Sequence, residues 1–577
     1  MKVSKTHSIL FLLLVVLIIY FPSITGVINT IDDVHIIEAY GINGHRTLLQ
    51  ILLPGNQFYF RPLIELTYYF DNLLWGLDPR MMHLENVLLH VFNVLLVYQI
   101  AVRVSSLSAG LPALPFISAL LFAIHPVNTE AISWIAGRTD PLAAFFILLS
   151  TLFLLKAFQF GHLKDYYTAL AAMLLSLLAK ETSAMLIPVS IIMIFSAKVE
   201  NNDNFAAGSC IARRMISQYC TLGALLVGYG AVRLFLKPVG TDNVFSMLFQ
   251  NNYNFTAVST DFLLTAGFYA KKLFIPFPLN FAIYTISEWY IVIGVAVVIL
   301  FTYLLLRKNI VNSFLLAGCL FIFPAIMVKM AGVTWTPVAE RYLYIPTAFF
   351  SISLPALFIS YISNAKRQRL AYLALAIFAI IIASLTFNRN LLWRDNLTLF
   401  QDSVLKSPDF GDVHNELGIA LAKNGDYIEA RRHFVLAEKL SSRNVIRKLA
   451  RLNILNCDLH GKTNIEKKEI LGNHVALHKN VHPDILKMLR DATFIISQTE
   501  TGKNKKLLLI REVIALNERI FREVKDPLCL YKNGQIMMSL DDKQAALEYF
   551  RKTIAFAPKD AYYFDSAKKL IKHLETP

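Results

Sequence analysis

Two adjacent carboxylates, Asp32 and Asp33, follow the first long apolar run, in the stretch Ile31-Asp-Asp-Val-His35-Ile-Ile-Glu38. Charge near a bilayer is costly, so a pair at the mouth of a membrane span marks a candidate site. Three further polar groups share its position relative to apolar segments: the loop His125-Pro-Val-Asn-Thr-Glu130 through Arg138-Thr-Asp140, the pair Lys180-Glu181, and Glu340-Arg341-Tyr342. A carboxylate can take a proton from a hydroxyl. Arg grips a phosphate through its planar fork, and Lys holds one as a point charge. Together these residue types fit transfer of a group from a lipid-linked phosphate to an alcohol. A phosphate leaves well once its charge is stabilised, so one carboxylate base suffices for glycosyl transfer, with inversion at the sugar carbon.

Each group also has a structural alternative. Asp32 or Asp33 can cap a short helix, Lys180 can pair with Glu181, Arg138 can snorkel to head groups, and Glu340 can bridge Arg341. His35, Arg61 and His125 also fit a hydrogen-bonded structural role at an interface.

These residues must be positioned by membrane helices. The chain has 577 residues, 55% hydrophobic, and the apolar residues fall in long blocks that exclude an ordinary soluble domain. The formal charge of +15 comes from clusters between those blocks and from the polar C-terminal part, a topogenic and surface pattern rather than a nucleic-acid footprint. Spans are expected at 9–20, 84–102, 112–124, 141–157, 165–179, 183–197, 217–236, 289–306, 312–329, 343–363 and 370–387, about eleven in all. Lys2 and Lys5 keep the N-terminus inside, and Arg103, Lys156 with Lys164, Arg213-Arg214, Arg307-Lys308 and Lys366-Arg367-Arg369 fall at the other inner ends. Asp32 and the other three groups then share the outer face, where all five tryptophans also fall. The segment 262–270, followed by Lys271-Lys272, reads as an interfacial or re-entrant helix on that side.

The expected architecture is all-α: a membrane domain over 1–390, with a first outer loop at 28–80, and an extracytoplasmic helical domain over 391–577. Within the latter, Leu417-Gly418, Ala430, Phe434 and Ala437 fit a tetratricopeptide-like repeat at about 411–444. Gly534, Ala546, Phe550 and Pro558 fit another at about 527–560, with a capping helix at 565–574. The five cysteines show no metal spacing. Cys457 and Cys529 are expected as thiols or as a pair.

The ordered motifs resemble the GT-C superfamily of membrane glycosyltransferases, and within it the transmembrane and tetratricopeptide-repeat O-mannosyltransferases, the TMTC group. The resemblance is carried by Asp32-Asp33, Tyr59-Phe-Arg61-Pro-Leu, Gly76-Leu-Asp78-Pro with His83-Leu-Glu-Asn86-Val-Leu-Leu-His90, the His125 and Arg138 motifs, Leu178-Ala-Lys180-Glu181 and Glu340-Arg341-Tyr-Leu-Tyr344. It implies a polyprenyl-phosphate sugar donor, mannose or another hexose, and transfer to Ser or Thr of proteins on the extracytoplasmic face, the periplasm or the endoplasmic reticulum lumen. It also implies Asp32 as base and Asp33 as orienting partner. Arg138, Lys180, Arg341 and Tyr342 would bind the donor phosphate, with Arg61, His125, Asp140, Glu181 and Glu340 in support. No cofactor is required by this reading, and a divalent metal involving Glu181 stays open. The alternatives are transfer to a lipid or glycan and a non-catalytic membrane scaffold; the repeats, suited to gripping peptides, favour a protein acceptor.

Overall fold

The computed structural model describes residues 5–41, 46–53, 60–107, 111–200, 216–217, 219–221, 223–224, 227–228, 255–307, 309–331, 334–336, 338–360, 365–478, 481–558 and 561–575. The described residues are mainly helical, with a single bridge among them joining Ile283 and Val338. The chain divides into two compact units, Met1–Leu417 and Gly418–Pro577.

The first unit contains helices α1 (Lys5–Ile24), α2 (Asp33–Tyr40), α3 (Leu48–Leu52), α4 (Pro62–Trp75), α5 (Pro79–Leu107), α6 (Leu114–Ile124), α7 (Thr129–Ser133), α8 (Thr139–Phe160), α9 (Leu163–Ala179) and α10 (Leu186–Glu200). After these come α11 (Phe255–Phe274), α12 (Tyr290–Leu306), α13 (Ile310–Ala331), α14 (Tyr344–Ser360), α15 (Ala365–Leu392), α16 (Asn396–Lys406) and α17 (Gly411–Lys423), which runs into the second unit. Helix ends follow local chemistry. Pro62 opens α4, and Gly76 at φ 61° and Gly161 at φ 69° close α4 and α8 in the left-handed conformation.

Among the described residues, six helical stretches are long and apolar enough to cross a membrane: Lys5–Ile24, Pro79–Leu107, Ala136–Phe160, Ile310–Met330, Glu340–Ile359 and Arg369–Leu392. A seventh arises if α6 and Pro126–Ser133, bent by 50°, count as one. This is a multi-pass membrane protein. The expected spans at 165–179, 183–197 and 289–306 coincide with the shorter helices α9, α10 and α12, and 217–236 lies mostly outside the described residues. Much of the segment 28–80, expected as the first outer loop, is helical, in α2, α3 and α4.

The segment 262–270 belongs to the 20-residue α11. Asp261 binds Lys329 at 2.6 Å and Lys272 binds Glu340 at 2.6 Å, which tethers both parts of α11 to the end of the bundle that carries Glu340. Close glycine packing seats it on α12: a Cβ on Gly267 would lie 1.9 Å from the Tyr290 carbonyl oxygen, and one on Gly294 2.0 Å from that of Leu263.

Helix α5 explains the bundle core. His83, Asn86, His90 and Asn93 recur at spacings of three and four, so they form one stripe, and all four are buried. His90 Nδ1 and Asn93 Nδ2 contact the Tyr344 hydroxyl at 2.7 and 3.0 Å, fastening α5 to α14. The first unit ends after Leu417 rather than near residue 390 because α16 and the following loop pack into it. Phe410 stacks on Tyr284 at 4.8 Å, and Ser407 bonds Asn280 and Ala282.

The second unit is built from helical hairpins: α18 (Tyr427–Leu440), α19 (Asn444–Leu459), α20 (Asn464–Leu477), α21 (Pro483–Thr499), α22 (Lys503–Val524), α23 (Pro527–Ser539), α24 (Lys543–Phe556) and α25 (Phe564–Glu575). Two of them repeat the same packing. A Cβ on Gly418 would lie 2.6 Å from the Phe434 ring, and one on Gly534 2.6 Å from the Phe550 ring. Asp426 and Asp542 cap the helices that carry those rings. Phe564 and Ala567 of α25 are buried. Cys457 and Cys529 are both free.

Because backbone and not side chain meets the missing Cβ, Gly294→Leu should force α11 and α12 apart. A loss of about 1–3 kcal/mol or more is expected, read as a lower melting temperature of the purified protein in detergent.

Candidate active site

The sequence between α6 and α8 is not an exposed loop. His125 ends α6, and Pro126–Asn128, α7 and Ala136–Arg138 follow as short helical turns that are almost wholly buried. Asn86 Nδ2 holds this segment by donating to the carbonyls of Trp134 at 2.9 Å and Ile132 at 3.2 Å. His125 contacts the Leu273 carbonyl through Nε2 at 3.1 Å, which ties the end of α11 to the segment. His125 thus has a structural hydrogen bond.

Arg138 does not snorkel. Its side chain is 1% exposed, with Nη1 2.7 Å from Asp71 and 3.1 Å from Glu85, Nε donating to Asn86 at 2.8 Å and Nη2 to the Met82 carbonyl at 3.0 Å. Its donors are committed to α4 and α5, so the geometry suits positioning better than direct phosphate contact. Asp71 was missed in the sequence, although a signal exists. It falls at the spacing of Ile64 and Tyr68, the buried face of α4, and a carboxylate there requires a partner.

The acidic pair divides. Asp33 is 2% exposed and accepts from the backbone N–H of Asn29 and of Ala136, both at 2.9 Å, clamping α2 to the turn before Arg138. Burial pushes its carboxyl up to about 7, against those two hydrogen bonds. Asp32 is open to solvent and makes no side-chain cap to α2, so the capping alternative fails for it. Its surroundings raise its pKa through desolvation, opposed by the charges of Arg341, His35 and Arg61.

His35 pairs locally with Glu38 at 3.1 Å, whereas Arg61 and Arg341 belong to a set of ion pairs that join distant parts of the chain. Lys180 binds Asp140 at 2.6 Å rather than Glu181. Glu181 pairs with Arg61, whose Nε and Nη2 lie 3.0 and 2.9 Å from Oε2. Arg341 pairs with Glu130, which also accepts the backbone N–H of Glu340 at 3.0 Å and of Arg341 at 3.2 Å. Glu340 instead binds Lys272 and the backbone N–H of Asn280, at 2.6 and 3.0 Å. The Tyr342 ring lies between two cations, 5.4 Å from Lys180 Nζ and 4.9 Å from Arg341 Cζ. Glu130 and Lys272 were invisible as partners in the sequence, because their contacts lie 211 and 68 residues away. Among the described residues no group of three His, Cys, Asp or Glu side chains converges to hold a metal ion.

Residues 69–218 match the family model described as Dolichyl-phosphate-mannose-protein mannosyltransferase. Protein O-mannosyl-transferase F38B6.6 of Caenorhabditis elegans is 24% identical over 458 residues, 75% of this chain and 63% of its own length. Protein O-mannosyl-transferase Tmtc3 of Drosophila melanogaster is 24% identical over 563 residues, covering 84% of this chain and 59% of its own. Protein O-mannosyl-transferase TMTC1 of Mus musculus is 35% identical over 138 residues, 24% of this chain and 14% of its own. The chain thus spans less than two thirds of the length of these curated relatives.

Arg138→Lys should lower the melting temperature sharply. An ammonium cannot serve Asp71, Asn86 and the Met82 carbonyl together, and breaking a buried pair costs about 3–5 kcal/mol. Asp33 supplies a pH test. Folded, it keeps its proton to about pH 7, whereas an ordinary aspartate releases it near 3.8, so its contribution to stability falls as pH rises through that window. Asp33→Asn should lower stability through the mismatched amide and flatten this decline, as read from melting temperature against pH.

Proposed function

From its TMTC-like sequence of GT-C type, we propose that this chain is an inverting glycosyltransferase, moving a sugar from a polyprenyl-phosphate donor to Ser or Thr hydroxyls of proteins. The observation that carries the reading is the division of labour at the acidic pair. Asp33 is spent on backbone N–H groups, while Asp32 is open and faces Arg61 and Arg341, cations from two separate segments.

In this mechanism the acceptor hydroxyl gives its proton to the Asp32 carboxylate as its oxygen bonds to the sugar C1. The bond from C1 to the phosphate oxygen breaks with inversion, and its electron pair leaves with the polyprenyl phosphate. Arg61, Lys180 and Arg341 stabilise the charge that develops there. A pKa raised by desolvation makes Asp32 a stronger base. Arg138 and Asp33 position this machinery, Tyr342 spaces two of the cations, and His125 fixes α11. An apolar recess of about 370 Å³ lined by Ile117, Leu121, Phe274, Leu354 and Tyr372 suits a stretch of polyprenyl chain. Phe274 adjoins Leu273, whose carbonyl meets His125. In the same reading the region 391–577 lies outside the cytoplasm and its helical hairpins bind the acceptor protein.

Purified protein incubated with polyprenyl-phosphate sugars and acceptor peptides should transfer label. Asp32→Asn should reduce the rate by about 10²- to 10⁴-fold without changing the melting temperature appreciably. Undiminished transfer by the variant would remove Asp32 as the base.

A further inference from the structure

Arg61, Lys180 and Arg341 each hold a carboxylate, but the pairs differ in what separating them would cost. The side chains of Glu130 and Asp140 are 1% and 3% exposed, whereas that of Glu181 is 40% exposed. Displacing either of the first two would leave a buried carboxylate without its counter-charge. Glu181, released from Arg61, can be hydrated where it stands, so this pair is the one an incoming anion can open.

The geometry of the pair fits such an exchange. Two nitrogens of Arg61 converge on one oxygen of Glu181, a forked grip that a phosphate oxygen accepts equally well. Glu181 adjoins Lys180 at the start of a short helical turn, so its side chain can rotate outward while Lys180 stays on Asp140. A sugar-linked phosphodiester carries one negative charge, as the carboxylate does, so the exchange leaves the charge balance around Asp32 unaltered.

We propose that Glu181 is a built-in stand-in for the donor phosphate: it holds Arg61 until the phosphate of a polyprenyl-linked donor takes its place, and then swings out. This rests on the transferase reading. It makes Arg61 a direct phosphate ligand and Glu181 a competitor that lowers donor affinity while keeping the guanidinium aligned.

The test is binding of polyprenyl phosphate without a sugar, measured on the full chain in detergent micelles, so that no catalysis is needed. Glu181→Gln should bind about three- to fivefold more tightly than wild type, the range expected for relieving one partly exposed ion pair. Arg61→Gln should weaken binding, and Glu181→Gln should bring no gain on that background. Glu181→Ala, with a melting temperature checked against wild type, should reproduce the tighter binding. Unchanged or weaker binding by both folded Glu181 variants would overturn the proposal. Inorganic phosphate binding as tightly as polyprenyl phosphate, with the same gain, would overturn its assignment to a lipid-linked ligand. Wild type that binds no polyprenyl phosphate would sink the transferase reading along with it, whereas binding by wild type with no gain in the variants sinks this inference alone.

Discussion

A guanidinium removed from water must have its charge and all its donors answered, and Arg138 is buried to 1%. Asp71 from α4, Asn86, Glu85 and the Met82 carbonyl from α5 supply the answers, so two helices are drawn onto the turn that carries Arg138. That turn is the one whose Ala136 N–H is taken by Asp33, and Asn86 also binds the carbonyls preceding it. The place of the acidic pair therefore depends on this one buried charge. Loosening it would release α2, and with α2 the open carboxylate.

Around Asp32 the charges are allotted in long-range pairs. Arg61 with Glu181, Lys180 with Asp140 and Arg341 with Glu130 bring together the start of α4, the turn after α9, the start of α8, α7 and the turn before α14. Such pairing lets cations stand at the edge of an apolar bundle without unanswered charge, while the field of Arg61 and Arg341 still reaches Asp32. The pairs with buried carboxylates hold the frame; the pair with an exposed one leaves room for exchange.

Much of this was legible because periodicity is local. The apolar blocks announce the membrane helices, and Gly418 with Phe434 announces a close helical hairpin that Gly534 with Phe550 repeats. The relatives bear out the TMTC-like resemblance drawn from the ordered motifs. Less legible was the character of the segment from His125 to Asp140. Its polar residues read as a surface loop, yet Asn86 and the ion pairs satisfy its polar groups inside the protein. Residue type alone cannot distinguish a polar group facing water from one with a buried partner.

The sequence by itself determined the helical membrane class, the helical hairpins and most of the charged residues that the structure pairs around the acidic pair, because spacing and side-chain chemistry are properties of a linear chain. Only the tertiary structure decided who pairs with whom. Neighbours such as Lys180 and Glu181, or Glu340 and Arg341, point to different partners, and Asp32 and Asp33 receive opposite environments despite sharing one side chain type. The reason is physical: the energy of a charge at the membrane edge is set by desolvation and by groups brought near it through folding, and neither can be read from its neighbours along the chain.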